Sequence, residues 1–136
     1  MSNNAAHVRT GFRTVTPYLI VQGAPGLIDF MRQVFDATEI RRDLHSDGSI
    51  MNAEMRIGDS IVELAEAGGD GPAMPCGLHV YVPDTDATYQ RALQAGASSL
   101  YAPADMPYGE RSAGVRDASG NSWYIATFQE QAAEQD

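Results

Sequence analysis

The sequence predicts an α+β fold: two tandem βαβββ modules whose four-stranded mixed sheets pair around a shared cavity. Three observations lead there. Displaced by 61 positions, Tyr18-Leu-Ile-Val21 falls on His79-Val-Tyr-Val82, two segments of period-2 alternation that each run into a turn. Each leads into one segment of helical period, and each of those into three extended segments. A four-stranded sheet with one helix leaves its second face bare, so two copies are expected to cover each other.

The first module spans about residues 14–66. After its opening strand, Leu27, Ile28, Met31, Val34 and Phe35 recur at spacings of three and four, and Pro25 suits a first turn, which predicts a helix from Ala24 to Phe35. Extended segments follow at Glu39 to Asp43, Ile50 to Ile57 and Ser60 to Ala65. The Gly- and Pro-rich stretch from Ala67 to Pro75 is a linker. In the second module, about 77–128, Asp84 or Asp86 caps a helix from Thr85 to Ala95 that carries Tyr89, Ala92 and Leu93 and stops at Gly96. Its extended segments are Ser98 to Tyr101, Arg111 to Arg116 and Ser122 to Thr127. Together the modules form one domain over residues 14–128, and residues 1–12 and 129–136, polar or without period, are expected to be flexible.

Composition narrows the function. Nine basic side chains against 18 acidic ones give 136 residues a net charge of −9, which repels phosphate backbones and anionic membranes. Nucleic acid and membrane are therefore excluded as partners. No apolar run exceeds the four residues of Tyr18 to Val21, far short of a bilayer span, and Met1 to Arg13 lacks the apolar centre of a signal peptide. With a lone Cys76, which cannot form an internal disulfide, this predicts a cytoplasmic protein.

Alternation assigns the faces. With Leu19, Val21, Val80 and Val82 toward the helices, Thr16, Tyr18, Gly77, His79 and Tyr81 point into the cavity. With Met51, Ala53, Met55 and Ile57 on the helix side, Asn52, Glu54 and Arg56 point inward. The repeat pairs Ile50 with Arg111, so Arg111 is expected inward as well. Val62, Leu64, Trp123 and Ile125 take the helix side, which leaves Glu63 and Tyr124 inward. An interior carboxylate needs a donor, and Arg111 is the nearest candidate for Glu63, either as a structural pair or facing a ligand. Tyr108-Gly109-Glu110-Arg111 reads as a turn into a strand, or as a flap after a loop from Ala102 to Asp105. Trp123 reads as core, and Asp117 to Asn121 as a turn without chemistry.

Asn52-Ala53-Glu54-Met55-Arg56-Ile57-Gly58-Asp59-Ser60, Leu78-His79-Val80-Tyr81-Val82, Tyr108-Gly109-Glu110-Arg111-Ser112 and Val115-Arg116-Asp117-Ala118-Ser119-Gly120-Asn121-Ser122-Trp123, set in two βαβββ modules, resemble the vicinal oxygen chelate superfamily. The likeness is greatest to its glyoxalase/bleomycin-resistance-like, PhnB-like branch. The resemblance implies the fold more firmly than a reaction, because the fold hosts metal enzymes and metal-free drug binders alike. It places the metal-ligand positions of the metal-dependent members at Thr16, Glu63, Gly77 and Tyr124, of which only Glu63 ligates well, and where the branch often has His this chain has Asn52. No metal or other cofactor is therefore expected. A displaced divalent-metal site of Glu63, His79 and Glu54 is the alternative.

Two functions remain open. One is a metal-free binding protein holding an aromatic or cationic ligand between Tyr18, Asn52, Glu54, Glu63, His79, Tyr81, Tyr108, Arg111 and Tyr124. The other is an enzyme (a lyase, isomerase or dioxygenase) with Glu63 and His79 as metal ligands or acid/base groups. A methyltransferase activity, a label some members of this branch carry, is excluded because no Gly-rich nucleotide loop follows a strand in a βαβ setting. Open sheet edges and the resemblance both imply a homodimer.

Overall fold

The structure, a computed structural model, describes residues 6–68 and 71–129. Its elements follow the repeat: β1 Tyr18–Val21, α1 Ala24–Phe35, β2 Thr38–Leu44, β3 Ile50–Ile57, β4 Ser60–Glu66, then β5 Gly77–Tyr81, α2 Thr85–Gln94, β6 Ser98–Met106, β7 Glu110–Arg116 and β8 Ser122–Phe128. Each module is a four-stranded mixed sheet, ordered β1-β4-β3-β2 in the first and β5-β8-β7-β6 in the second. The pairs β1/β4 and β5/β8 are parallel and the remaining pairs antiparallel.

The two helices start differently. Asp84 caps α2 through its side chain, accepting from the Ala87 N–H at 3.1 Å. At α1 the N-cap is Gly23, which has no side chain to offer and sits at φ 86°. The carboxylate of Glu66, at the end of β4, takes over and accepts from the Gly23 N–H at 2.9 Å and the Ala24 N–H at 2.8 Å. A negative charge at this end also suits the helix dipole.

One apolar core runs through both modules. Trp123, with no exposed surface, lies against Phe35 and Phe30 of α1 at ring-centroid distances of 4.9 and 6.0 Å. Its indole N–H donates to Asp117 at 2.7 Å. The buried Asp117 also accepts from the backbone N–H groups of Ser119 and Asn121 and from the Asn121 side chain, so the turn from Asp117 to Asn121 is held from within. Arg91 of α2 donates to the Val34 carbonyl at the end of α1, at 3.2 Å, and the Ser119 hydroxyl donates to the Gln22 carbonyl at 2.9 Å. The modules thus meet mainly through α1, α2 and the base of β8, and not sheet to sheet.

Two register details depart from the sequence reading. Across the first β-hairpin Arg56 faces Ile61, whereas across the second Arg116 faces Ser122, so the second turn holds one more residue. The repeat offset drops by one along β7, and that slip reverses which face each β7 residue occupies. In β3, Asp43 faces Asn52 but Leu44 faces Ile50, so Met51 is an extra residue in a β-bulge. The bulge turns Ile50 into the core and leaves Met51 exposed, against the expectation that Met51 lies under the helix. The segment from Ala102 to Asp105, expected as a loop, belongs to β6: Ala104 faces Ser112 and Asp105 faces Arg111.

Candidate functional site

Strand pairing places Tyr18 opposite Glu63, and Glu63 opposite Glu54, all on the face of the first sheet away from α1. Asn52 lies on the same face and donates through its amide to Glu63 Oε1 at 3.1 Å. The Glu63 carboxylate fixes that amide, since the reverse orientation would set oxygen against oxygen. Asn52 Oδ1 therefore points away, buried and without a hydrogen-bond partner among the described residues. Glu54, only 5% exposed, pairs through Oε2 with Arg9, while its Oε1 is also buried and, among the described residues, unpartnered. Asn52, Glu54 and Glu63 line a cavity of about 390 Å³ that Arg9, Phe12 and Thr14 of the N-terminal segment close from the other side. Residues 6–12, expected to be flexible, thus include contacts to this face, and the expectations for residues 1–5 and 130–136 lie outside the described residues. Arg41 and Asp43 of β2 complete the rim and pair with each other at 2.9 Å.

The second sheet carries a different group of residues. His79 faces Tyr124, Tyr124 faces Gly114, and Tyr81 faces Ala126. His79 Nε2 lies 3.2 Å from Glu110 Oε1, and the Tyr81 hydroxyl donates to Glu110 Oε2 at 2.8 Å. The hydrogen bond to the Glu110 carboxylate stabilises the neutral phenol of Tyr81 and holds its pKa above the usual value. The Tyr101 ring lies over Gly114 and its hydroxyl meets Ser112 Oγ at 2.7 Å. Tyr108, in the turn before β7, is largely exposed. A further cavity of about 640 Å³ runs between the modules beside β5, lined by His79 and Tyr81 with Phe35, Ile61, Arg91 and Trp123 among others.

The residues expected around one cavity therefore divide between two faces: Tyr18, Asn52, Glu54 and Glu63 on the first, His79, Tyr81 and Tyr124 on the second. Arg111 lies on neither. By the β7 slip it joins the helix side of its sheet, where it holds Asp86 of α2 at 2.6 Å and Asp105 of β6 at 3.1 Å. These carboxylates raise the pKa of Arg111, and Arg111 in turn lowers that of Asp86. The expected pairing of Glu63 with Arg111 does not form. Glu110, the partner of both His79 and Tyr81, was missed because the same slip hides its face. Arg9 was missed because a residue outside any periodic segment carries no facing signal.

Neither metal arrangement fits the side chains present. The positions implied by the resemblance hold a hydroxyl, one carboxylate, a glycine and a phenol, too few donors for a divalent ion. The displaced set is split, with Glu54 and Glu63 on one face and His79 on the other. Among the described residues no three His, Cys, Asp or Glu side chains converge as a metal would require.

Two βαβββ modules, each with a polar sheet face turned away from its helix, define a fold that comparison with known proteins identifies. The model of the Glyoxalase/Bleomycin resistance protein/Dioxygenase superfamily matches residues 6–125, and the chain belongs to that superfamily. It is 35% identical over 125 residues to an uncharacterized protein of Mycobacterium bovis, covering 82% of this chain and 80% of that one. An uncharacterized protein of Mycobacterium tuberculosis matches at the same identity, with 82% and 72% covered. Among solved structures, TioX from Micromonospora sp. ML1 superposes with a TM-score of 0.70 at 24% identity, over 84% of this chain and 97% of that one. The fosfomycin resistance protein FosX from Mesorhizobium loti gives 0.64 at 18%, over 88% and 95%. The PhnB protein from Bacillus cereus gives 0.66 at 15%, over 85% and 99%. At these identities the solved structures speak to fold alone. Among the described residues no helix is long and apolar enough to cross a membrane.

Proposed function

We propose that the protein binds a small molecule bearing a cationic or hydrogen-bond-donating group, without a metal, on the concave face of the first module. One observation carries the reading: among the described residues, Glu54 Oε1 and Asn52 Oδ1 are buried acceptors with no donor, on two residues that line the same cavity. Leaving such an acceptor unmet costs about 1–3 kcal/mol each, which a ligand N–H or O–H would recover. Tyr18 on the same face supplies aromatic surface. The sequence motifs favour the PhnB-like branch, and resistance proteins of this fold, FosX among them, accord with a role in handling foreign small molecules. A cytoplasmic homodimer completes the proposal. Both concave faces carry exposed tyrosines, Tyr18 on the first, Tyr81 and Tyr124 on the second, and a second copy of the chain would cover them.

The test is a thermal-shift screen of aromatic amines and amidines against their neutral isosteres. Cationic compounds should raise the melting temperature by linkage, and Glu54→Gln should remove the effect. Equal shifts from neutral and charged compounds would overturn it.

A second reading rests on His79 and Glu110. A carboxylate that accepts from one ring nitrogen orients a histidine so that the other can move a proton, the arrangement an isomerase or lyase uses. In this reading Glu110 takes the role expected of Glu63. Loss of a turnover in Glu110→Gln, with binding retained, would distinguish it.

A further inference from the structure

We infer that Arg9 is an internal occupant of this site, and that the natural ligand presents a flat, multiply donating cation, a guanidinium or amidinium, that expels it. The inference rests on the binding function proposed for this face and goes beyond it by naming the group recognised and the segment that must move.

The geometry supplies the reasons. Glu54 is a buried carboxylate, yet the one cationic partner it has among the described residues comes from an irregular segment, and the Arg9 side chain remains 55% exposed. Arg9 is held there by little else: its guanidinium lies 5.3 Å from the centre of the Phe12 ring, and its carbonyl accepts the Phe12 N–H at 3.0 Å. It also satisfies the site incompletely. Glu54 Oε1 and Asn52 Oδ1 stay unmet although the guanidinium has five donors. A tethered arginine approaching from one side leaves two acceptors open. A free planar cation that can enter the cavity can present N–H groups to Glu54 and Asn52 together, a forked arrangement that a point-like ammonium matches less well. The other charges on the cavity wall do not oppose such a ligand strongly: Arg41 is paired to Asp43, while Glu63 adds a second carboxylate against the remaining Arg13.

The occupied state is then a closed form, and apparent affinity is reduced by the fraction of molecules in which Arg9 is already displaced. The experiment uses the full chain and benzamidine as the probe, with benzamide as its neutral counterpart, measured by titration calorimetry. Arg9→Ala should tighten benzamidine binding by about tenfold or more, the ratio expected if Arg9 occupies the site about nine-tenths of the time. Arg9→Gln keeps a neutral donor beside Glu54 and should move affinity in the same direction, so the comparison survives if the alanine variant folds poorly. Glu54→Gln should abolish binding in either background, and benzamide should not bind. In the wild type, benzamidine should speed amide exchange at Phe12 as its bond to Arg9 is released. Equal affinity in wild type and both Arg9 variants, still lost in Glu54→Gln, would overturn the role of Arg9 and leave the cation site standing. Absence of benzamidine binding in every variant would overturn both.

Discussion

Gly114 offers a sharp test of how the second face is built. An added Cβ there would stand 2.6 Å from Tyr101 Cε2 and 2.9 Å from Cδ2, nearly an ångström inside ordinary contact. The Tyr101 ring must move, and its hydroxyl bond to Ser112, 2.7 Å, goes with it. Overpacking of this kind costs about 1–3 kcal/mol and the hydrogen bond about 1, offset by roughly 0.5 for removing glycine from a strand. Gly114→Ala should therefore destabilise by about 2 kcal/mol in urea unfolding. With an unfolding entropy of about 2.1 cal/mol/K per residue over 136 residues, that is a fall in Tm of about 7 °C. In a Tyr101→Ala background the obstacle is gone and only the glycine effect remains, so the same substitution should become neutral or stabilising by about 0.5 kcal/mol. The change of sign is the decisive reading. Additive costs in the two backgrounds would refute the close contact as the cause.

Other substitutions test the remaining contacts. Asp117→Ala should cost about 3–5 kcal/mol in chemical denaturation, because it strips acceptors from the buried Trp123 indole and Asn121 amide together. Glu63→Gln and Arg111→Met should each change stability by less than about 1 kcal/mol and combine without coupling, since Arg111 binds Asp86 and Asp105; coupling above about 1 kcal/mol would contradict the register of β7. The phenol of Tyr81 should ionise above the range of a free tyrosine in absorbance titration, read as the difference from Tyr81→Phe, and Glu110→Gln should bring it back down. Because the folded pKa is the higher one, this contribution to stability is complete below the unfolded tyrosine value and is lost as pH rises through the folded value. Added Ni²⁺ or Zn²⁺ should shift the melting temperature little, and stoichiometric binding through Glu54 and Glu63 would refute the metal-free assignment.

Where alternation was unbroken, the sequence was enough. Leu19, Val21, Val62, Leu64, Trp123 and Ile125 all lie on the helix side as their spacing implies, and Tyr18, Glu54, Glu63, His79 and Tyr124 lie opposite. The misplaced residues sit where the pairing departs from the repeat by one residue without a local signature: Met51 at a bulge, Arg111 in the strand that precedes a longer turn. A period of two carries no memory across such an insertion, so a face assigned from the far side of it is read inverted. How the modules meet was not legible either, because the contacts that decide it, Phe35 to Trp123 and Arg91 to the Val34 carbonyl, are long-range and specific to one pair of surfaces.

Those same contacts govern how the molecule comes apart. With Trp123 seated on the neighbouring module's helix and the Asp117 turn tied to Gln22 through Ser119, neither half can open without exposing the centre of the other. The duplicated architecture should thus behave as a single cooperative unit, and calorimetry should record one transition with equal calorimetric and van't Hoff enthalpies. A half-length chain would display a bare aromatic seam and aggregate before it folded.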